Sequence, residues 1–165
     1  MDLHPDLEPL SYLLGEWEGF GSGSYPTIDD FSYRELVTIK APPGKAFLSY
    51  GQQTWRAGDH ADSGQPLHTE TGYFRPGGSG KVELAVAQPT GVAEIHHGTV
   101  TGTTIALIAT SVATTATAKA VDSVERNITV SGDEMVYELF LGAVGEPHQV
   151  HLKATLTRHQ TQPHT

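Results

Sequence analysis

The stretch GEWEGFGSGSYPTI, residues 15–28, decides the fold. Four of its glycines share parity with Trp17, and a helix would lose roughly 1 kcal/mol at each relative to alanine. Read as a strand, Gly15, Trp17, Gly19, Gly21 and Gly23 lie on one face, and Glu16, Glu18, Phe20, Ser22 and Ser24 on the other. A single large ring is followed by a bare face. Glycine inside a strand marks a sharp bend or the close approach of another backbone or a ligand, as the curl of a small barrel requires. Pro26 then fixes its own φ and keeps Tyr25 extended, so Tyr25-Pro26-Thr27-Ile28 makes a stiff corner with one helical turn.

Outward from this stretch the period stays at two. Phe31, Tyr33 and Glu35 alternate with Ser32 and Arg34, and further runs span 46–55, 67–74, 81–88, 91–100, 103–111, 118–130, 135–144 and 149–158. Turn residues separate them, among them Pro42-Pro43-Gly44, Pro76-Gly77-Gly78 and Ser131-Gly132-Asp133. Short strands at regular spacing predict an all-β fold: one antiparallel up-and-down β-barrel of about ten strands. Such a barrel leaves room for an internal ligand. Ahead of it, Leu7, Leu10, Leu13 and Leu14 predict a short amphipathic helix over 5–14. The 165 residues fit a single domain, and no internal repeat or linker divides it.

Composition narrows the partners. Ten Lys plus Arg against nineteen Asp plus Glu give a net charge of -9, without a basic block. That balance disfavours nucleic acid and anionic membranes, which are held through neutralised phosphates. The absence of cysteine excludes thiolate nucleophiles, disulfides and Cys-ligated metals. The first residues lack a basic and apolar leader, so a cytoplasmic protein, monomer or homodimer, is expected.

Gly15-x-Trp17-x-Gly19-x-Gly21 followed by Tyr25-Pro26-Thr27-Ile28 resembles the opening signature of the nitrobindins, small haem-binding β-barrels. Leu67-His68-Thr69-Glu70-Thr71-Gly72-Tyr73-Phe74-Arg75, Val82-Glu83-Leu84, Ala87-Gln88-Pro89-Thr90-Gly91 and His151-Leu152-Lys153-Ala154-Thr155-Leu156 extend the similarity over nearly the whole chain. The resemblance implies a ferric haem b protein that binds nitric oxide and isomerises peroxynitrite to nitrate. It places the axial ligand at His151 and pocket contacts at His68, Gln88, Lys119 and Leu141, with Lys119 near a propionate; Thr27 joins them on its own position, a hydroxyl displayed by the rigid turn at the barrel mouth. In such barrels an arginine of the last strand, here Arg158, covers the Trp17 ring.

Nine histidines compete for iron. His96 and His97 are adjacent, point to opposite faces of a strand and are expected in solvent; His4, His60, His159 and His164 fall in termini or loops. His68, His148 and His151 remain. Strict alternation puts Val150, Leu152, Ala154 and Leu156 on one face and His151 on the other, so parity alone favours His148. His151 reaches the interior only if the strand bulges near its start. Two other readings stay open: a carrier of a fatty acid or other apolar ligand, which would want a basic residue deep inside, and hydrolysis by Glu70 with Glu83 or Glu94, which no motif supports.

Overall fold

The computed structural model describes residues 3–159; His164 lies outside them. Its ten strands are β1 (Gly15–Tyr25), β2 (Ile28–Lys40), β3 (Leu48–Ala57), β4 (Pro66–Pro76), β5 (Lys81–Gln88), β6 (Val92–Thr101), β7 (Thr104–Thr114), β8 (Val121–Ser131), β9 (Glu134–Ala143) and β10 (Gln149–Arg158). Each pairs antiparallel with its chain neighbour, and β1 pairs with β10, so the sheet closes on itself. This is the expected up-and-down barrel. The weakest seam is between β7 and β8, paired only from Thr104 to Ile108, so the two strands part toward the end that holds Thr117 and Lys119.

The N-terminal helix is a 3-10 helix, Pro5–Leu13. Leu7, Leu10 and Leu13 recur every third residue, which is the 3-10 period, and all three are fully buried. Leu14 serves instead as the C-cap. This helix plugs one end. There Trp17 is fully buried and donates from Nε1 to the Leu13 carbonyl at 2.9 Å. The Arg158 guanidinium stacks 4.2 Å from the Trp17 ring centroid, pairs with Asp133 at 3.1 Å and donates to the carbonyls of Leu14 and Tyr12.

The glycine face of β1 has distinct uses along its length. A Cβ on Gly19 would strike the Thr155 carbonyl of β10, whereas Gly21 and Gly23 seat the rings of Tyr33 and Phe31 from β2. The bare face is thus filled by its neighbours' backbone and aromatic rings. Tyr25-Pro26-Thr27-Ile28 is a two-residue hairpin turn rather than a helical turn, and β2 starts at Ile28, three residues earlier than the alternation suggests. Tyr25 explains the stiffness: its hydroxyl accepts from the Ala143 N–H at 2.8 Å and lies 3.2 Å from the Leu141 carbonyl, tying the turn across the barrel mouth to β9.

Candidate functional site

The end opposite the helix is open onto a cavity of about 930 Å³. Above its floor the walls are largely apolar, with Val124, Ile128, Leu139, Leu141 and Leu152 among them. His151 is part of this wall. The reason is a break in register: Val150 pairs with Phe140 but Leu152 pairs with Leu139, so His151 is the extra residue of a bulge. The bulge frees it from strict alternation, and both His151 and Leu152 line the cavity.

Once turned inward, the His151 ring is held from three sides. Tyr25 and Phe31 pack edge-on at centroid distances of 5.3 and 6.3 Å. Nδ1 lies 3.0 Å from the Ser24 carbonyl. A carbonyl only accepts, so Nδ1 carries the hydrogen and Nε2 keeps its lone pair. Burial lowers the His151 pKa and outweighs the Ser24 bond, with His68 adding in the same direction; the neutral imidazole is therefore favoured. A half-buried neutral histidine, fixed by a backbone acceptor and presenting Nε2, is a donor suited to a metal.

Thr27 sits exposed on the hairpin turn, and Lys119 lies in the loop ahead of β8, outside the strand expected over 118–130; both border the mouth. They can offer a hydroxyl and an ammonium to the polar edge of a ligand. Leu141 contributes to the apolar wall. His68 on β4 and Gln88 on β5 line the far side, since β5 stands five strands from β10 in either direction around the barrel. His148 does not line the cavity. Its ring stacks on Phe140, its Nδ1 meets the Ser123 hydroxyl at 2.7 Å and its Nε2 lies 3.6 Å from Glu125. The bulge between His148 and Leu152 is why simple parity points to it.

Beneath the apolar walls lies a charged floor. Arg126 of β8 is buried and bonded through two nitrogens to Glu70 of β4, and one of these also reaches Glu94 of β6 at 3.0 Å. Burial alone would raise both carboxyl pKa values; the guanidinium, with His68 and Tyr50 bonding Glu70 and His96 bonding Glu94, holds both below the usual range. His96 corrects the solvated reading of that residue: it is fully buried, with Nε2 2.8 Å from Glu94. His97 is exposed. Glu83 faces outward to Arg75, which removes it as a partner for Glu70. A signal for the floor was present, because Glu35 shares parity with Tyr33 and Val37, and Arg126 with Val124 and Ile128.

The match to known proteins agrees with this geometry. The family model described as a THAP4-like, heme-binding beta-barrel domain matches residues 6–158. The chain belongs to this haem-binding β-barrel family. Its relatives include "Peroxynitrite isomerase 1" of Mycolicibacterium paratuberculosis, 48% identical over 161 residues that cover 95% of this chain and 97% of the relative. "Peroxynitrite isomerase 2" of Mycobacterium avium is 48% identical over the same length. Among solved structures, Rv2717c from M. tuberculosis superposes with a TM-score of 0.87 at 46% identity, covering 96% of this chain and 100% of that one. An S-type phycobiliprotein lyase from Guillardia theta, at 11% identity and a TM-score of 0.63, shares the fold alone.

The site fits a porphyrin in three respects: volume, apolar walls and one imidazole with a free lone pair. Cavities of this size take ligands larger than a diatomic.

Proposed function

We propose that this chain is a ferric haem b protein that binds nitric oxide and isomerises peroxynitrite to nitrate, with His151 as the axial ligand. The observation that carries the reading is the bulge at His151, which puts an imidazole of fixed tautomer on the wall of a haem-sized apolar cavity. The names of the mycobacterial relatives support the reaction.

Haem supplies a redox-capable iron with a coordination position left for a small ligand when one histidine holds it. The chain's residues do the rest. Ser24 fixes the tautomer of His151, while Tyr25 and Phe31 hold its ring plane. Leu139, Leu141 and Leu152 keep water from the reacting centre. Thr27 and Lys119 would meet the polar edge of a porphyrin at the mouth, and His68 and Gln88 would border it from β4 and β5. Gln88 already donates one amide hydrogen to Glu94, which fixes its orientation.

The fatty-acid carrier is the weaker reading for a specific reason. A deep basic residue exists, but the charge of Arg126 is already balanced by Glu70 and Glu94, so it is not free to neutralise an incoming carboxylate. Haemin-loaded protein mixed with peroxynitrite by stopped flow tests the proposal. Accelerated decay with nitrate as product, lost in His151→Ala, is the expected result. Decay at the protein-free rate would overturn it.

A further inference from the structure

Among the described residues three carboxylates are buried around the cavity, and two of them are paired with a cation. Glu70 and Glu94 share Arg126. Glu35 of β2 is equally buried, lines the cavity, and is bonded only by neutral donors: the Tyr137 hydroxyl at one oxygen and the Gln52 amide, 3.4 Å away, at the other. An ionised carboxylate in that setting is poorly compensated.

Gln52 fits either protonation state of Glu35. Its Oε1 is buried and has no hydrogen-bond partner, while its Nε2 makes only the long contact to Glu35. Turning the amide over brings Oε1 to the carboxyl, where it is satisfied only if Glu35 carries a hydrogen to donate. Tyr137 lines the cavity and connects onward to Tyr33, hydroxyl to hydroxyl at 2.7 Å. The chain Tyr33, Tyr137, Glu35 can thus shift one proton without moving a heavy atom.

We propose that Glu35, reached through Tyr137, is an acid–base group of this cavity: it takes the proton of a small weak acid that enters neutral and is held as its anion. The ligand's H–X bond breaks with its electron pair left on X, Tyr137 accepts that proton, and the Tyr137 hydroxyl proton passes to a Glu35 oxygen. On release the transfers reverse, so no oxidant or reductant is consumed. Hydrazoic, nitrous and peroxynitrous acids belong to this ligand class. The proposal rests on the haem reading only for what holds the anion.

The groups facing Glu35 set its proton affinity. They are Tyr137 from β9, Tyr33 from its own strand, Gln52 and Tyr50 from β3, Glu70 from β4 and Arg126 from β8, with Glu94 of β6 beyond the guanidinium. Burial dominates and Glu70 adds to it; the bonds from Tyr137 and Gln52 and the charge of Arg126 oppose, leaving the pKa raised to about 7. A group poised near the working pH is suited to accept and return a proton.

Infrared difference spectra of the full chain before haemin is added should show a protonated-carboxyl band that titrates near neutrality. Glu35→Gln should abolish it, and the surface control Glu83→Gln should leave it. Tyr137→Phe removes a bond that favours the ionised form, so the midpoint should rise. After haemin loading, azide association in Glu35→Gln should slow by about 10²-fold, the low end for a positioned proton transfer. Retained cooperative melting and an unchanged Soret band would exclude a folding defect as the cause. A band that survives Glu35→Gln, or azide association unchanged in that variant, would overturn the proposal. Failure to load haemin would instead overturn the haem reading, with the titration still deciding whether Glu35 holds the proton.

Discussion

The two ends of the barrel are built by the same pair of strands and behave differently. At the closed end β1 and β10 keep an unbroken register from Gly23 opposite Leu152 to Trp17 opposite Arg158, and Arg158 stacks on Trp17 while donating to the carbonyls of Leu14 and Tyr12. At the open end the register of β10 with β9 slips at His151, the β1 pairing with β2 is irregular between Gly23 and Tyr25, and the tyrosine hydroxyl replaces ladder bonds. Regular pairing makes a stopper. Irregular pairing makes a site, because a bulge is what lets a side chain leave the face that alternation assigns it.

The largest effect should come from breaking the closed end. Trp17→Ala removes a fully buried ring and its bond to Leu13, and should cost about 3 to 5 kcal/mol of stability by denaturant unfolding. A loss under about 1 kcal/mol would mean the stopper is not structural. Next, Glu70→Gln leaves Arg126 short of a carboxylate in the buried floor; breaking such a pair from one side typically costs about 3 kcal/mol or more.

The third prediction separates the floor's two kinds of carboxylate by pH. Glu35 is raised from 4.5 to about 7, so between these values the native state binds more protons than the unfolded chain, and stability falls as pH rises. Glu35→Gln should flatten that slope and, above neutrality, stabilise the protein by on the order of 2 kcal/mol. Melting curves of both proteins across this range check the sign; parallel pH profiles would contradict it. The smallest effect belongs to His148→Ala. This partly exposed residue lies outside the cavity, so stability should change by no more than about 0.5 kcal/mol and haemin affinity should be unaltered.

The sequence carried the barrel well, because each of its signals is local. Alternation in Phe31, Tyr33 and Glu35, glycine in the turns at 44, 78 and 132, and the period-three leucines of the helix depend on nearest neighbours alone. The site was legible only where a motif stood in for geometry. Parity misplaced His151 because a bulge depends on the partner strand, and Val150, His151 and Leu152 contain nothing that announces the slip at Phe140 and Leu139. The charged floor was hidden for another reason. Glu35, Glu70, Glu94 and Arg126 come from four strands, and their burial becomes affordable only once closure brings the carboxylates to the guanidinium and the tyrosines. Their inward parity was visible, but their compensation was not.

The most direct test of the account is a haemin titration followed by absorbance, with the wild type, His151→Ala and His148→Ala side by side. A Soret band of histidine-ligated ferric haem in the wild type and in His148→Ala, lost or displaced in His151→Ala, is the predicted result. The same band in His151→Ala, with its loss in His148→Ala, would show that the bulge does not create the iron site.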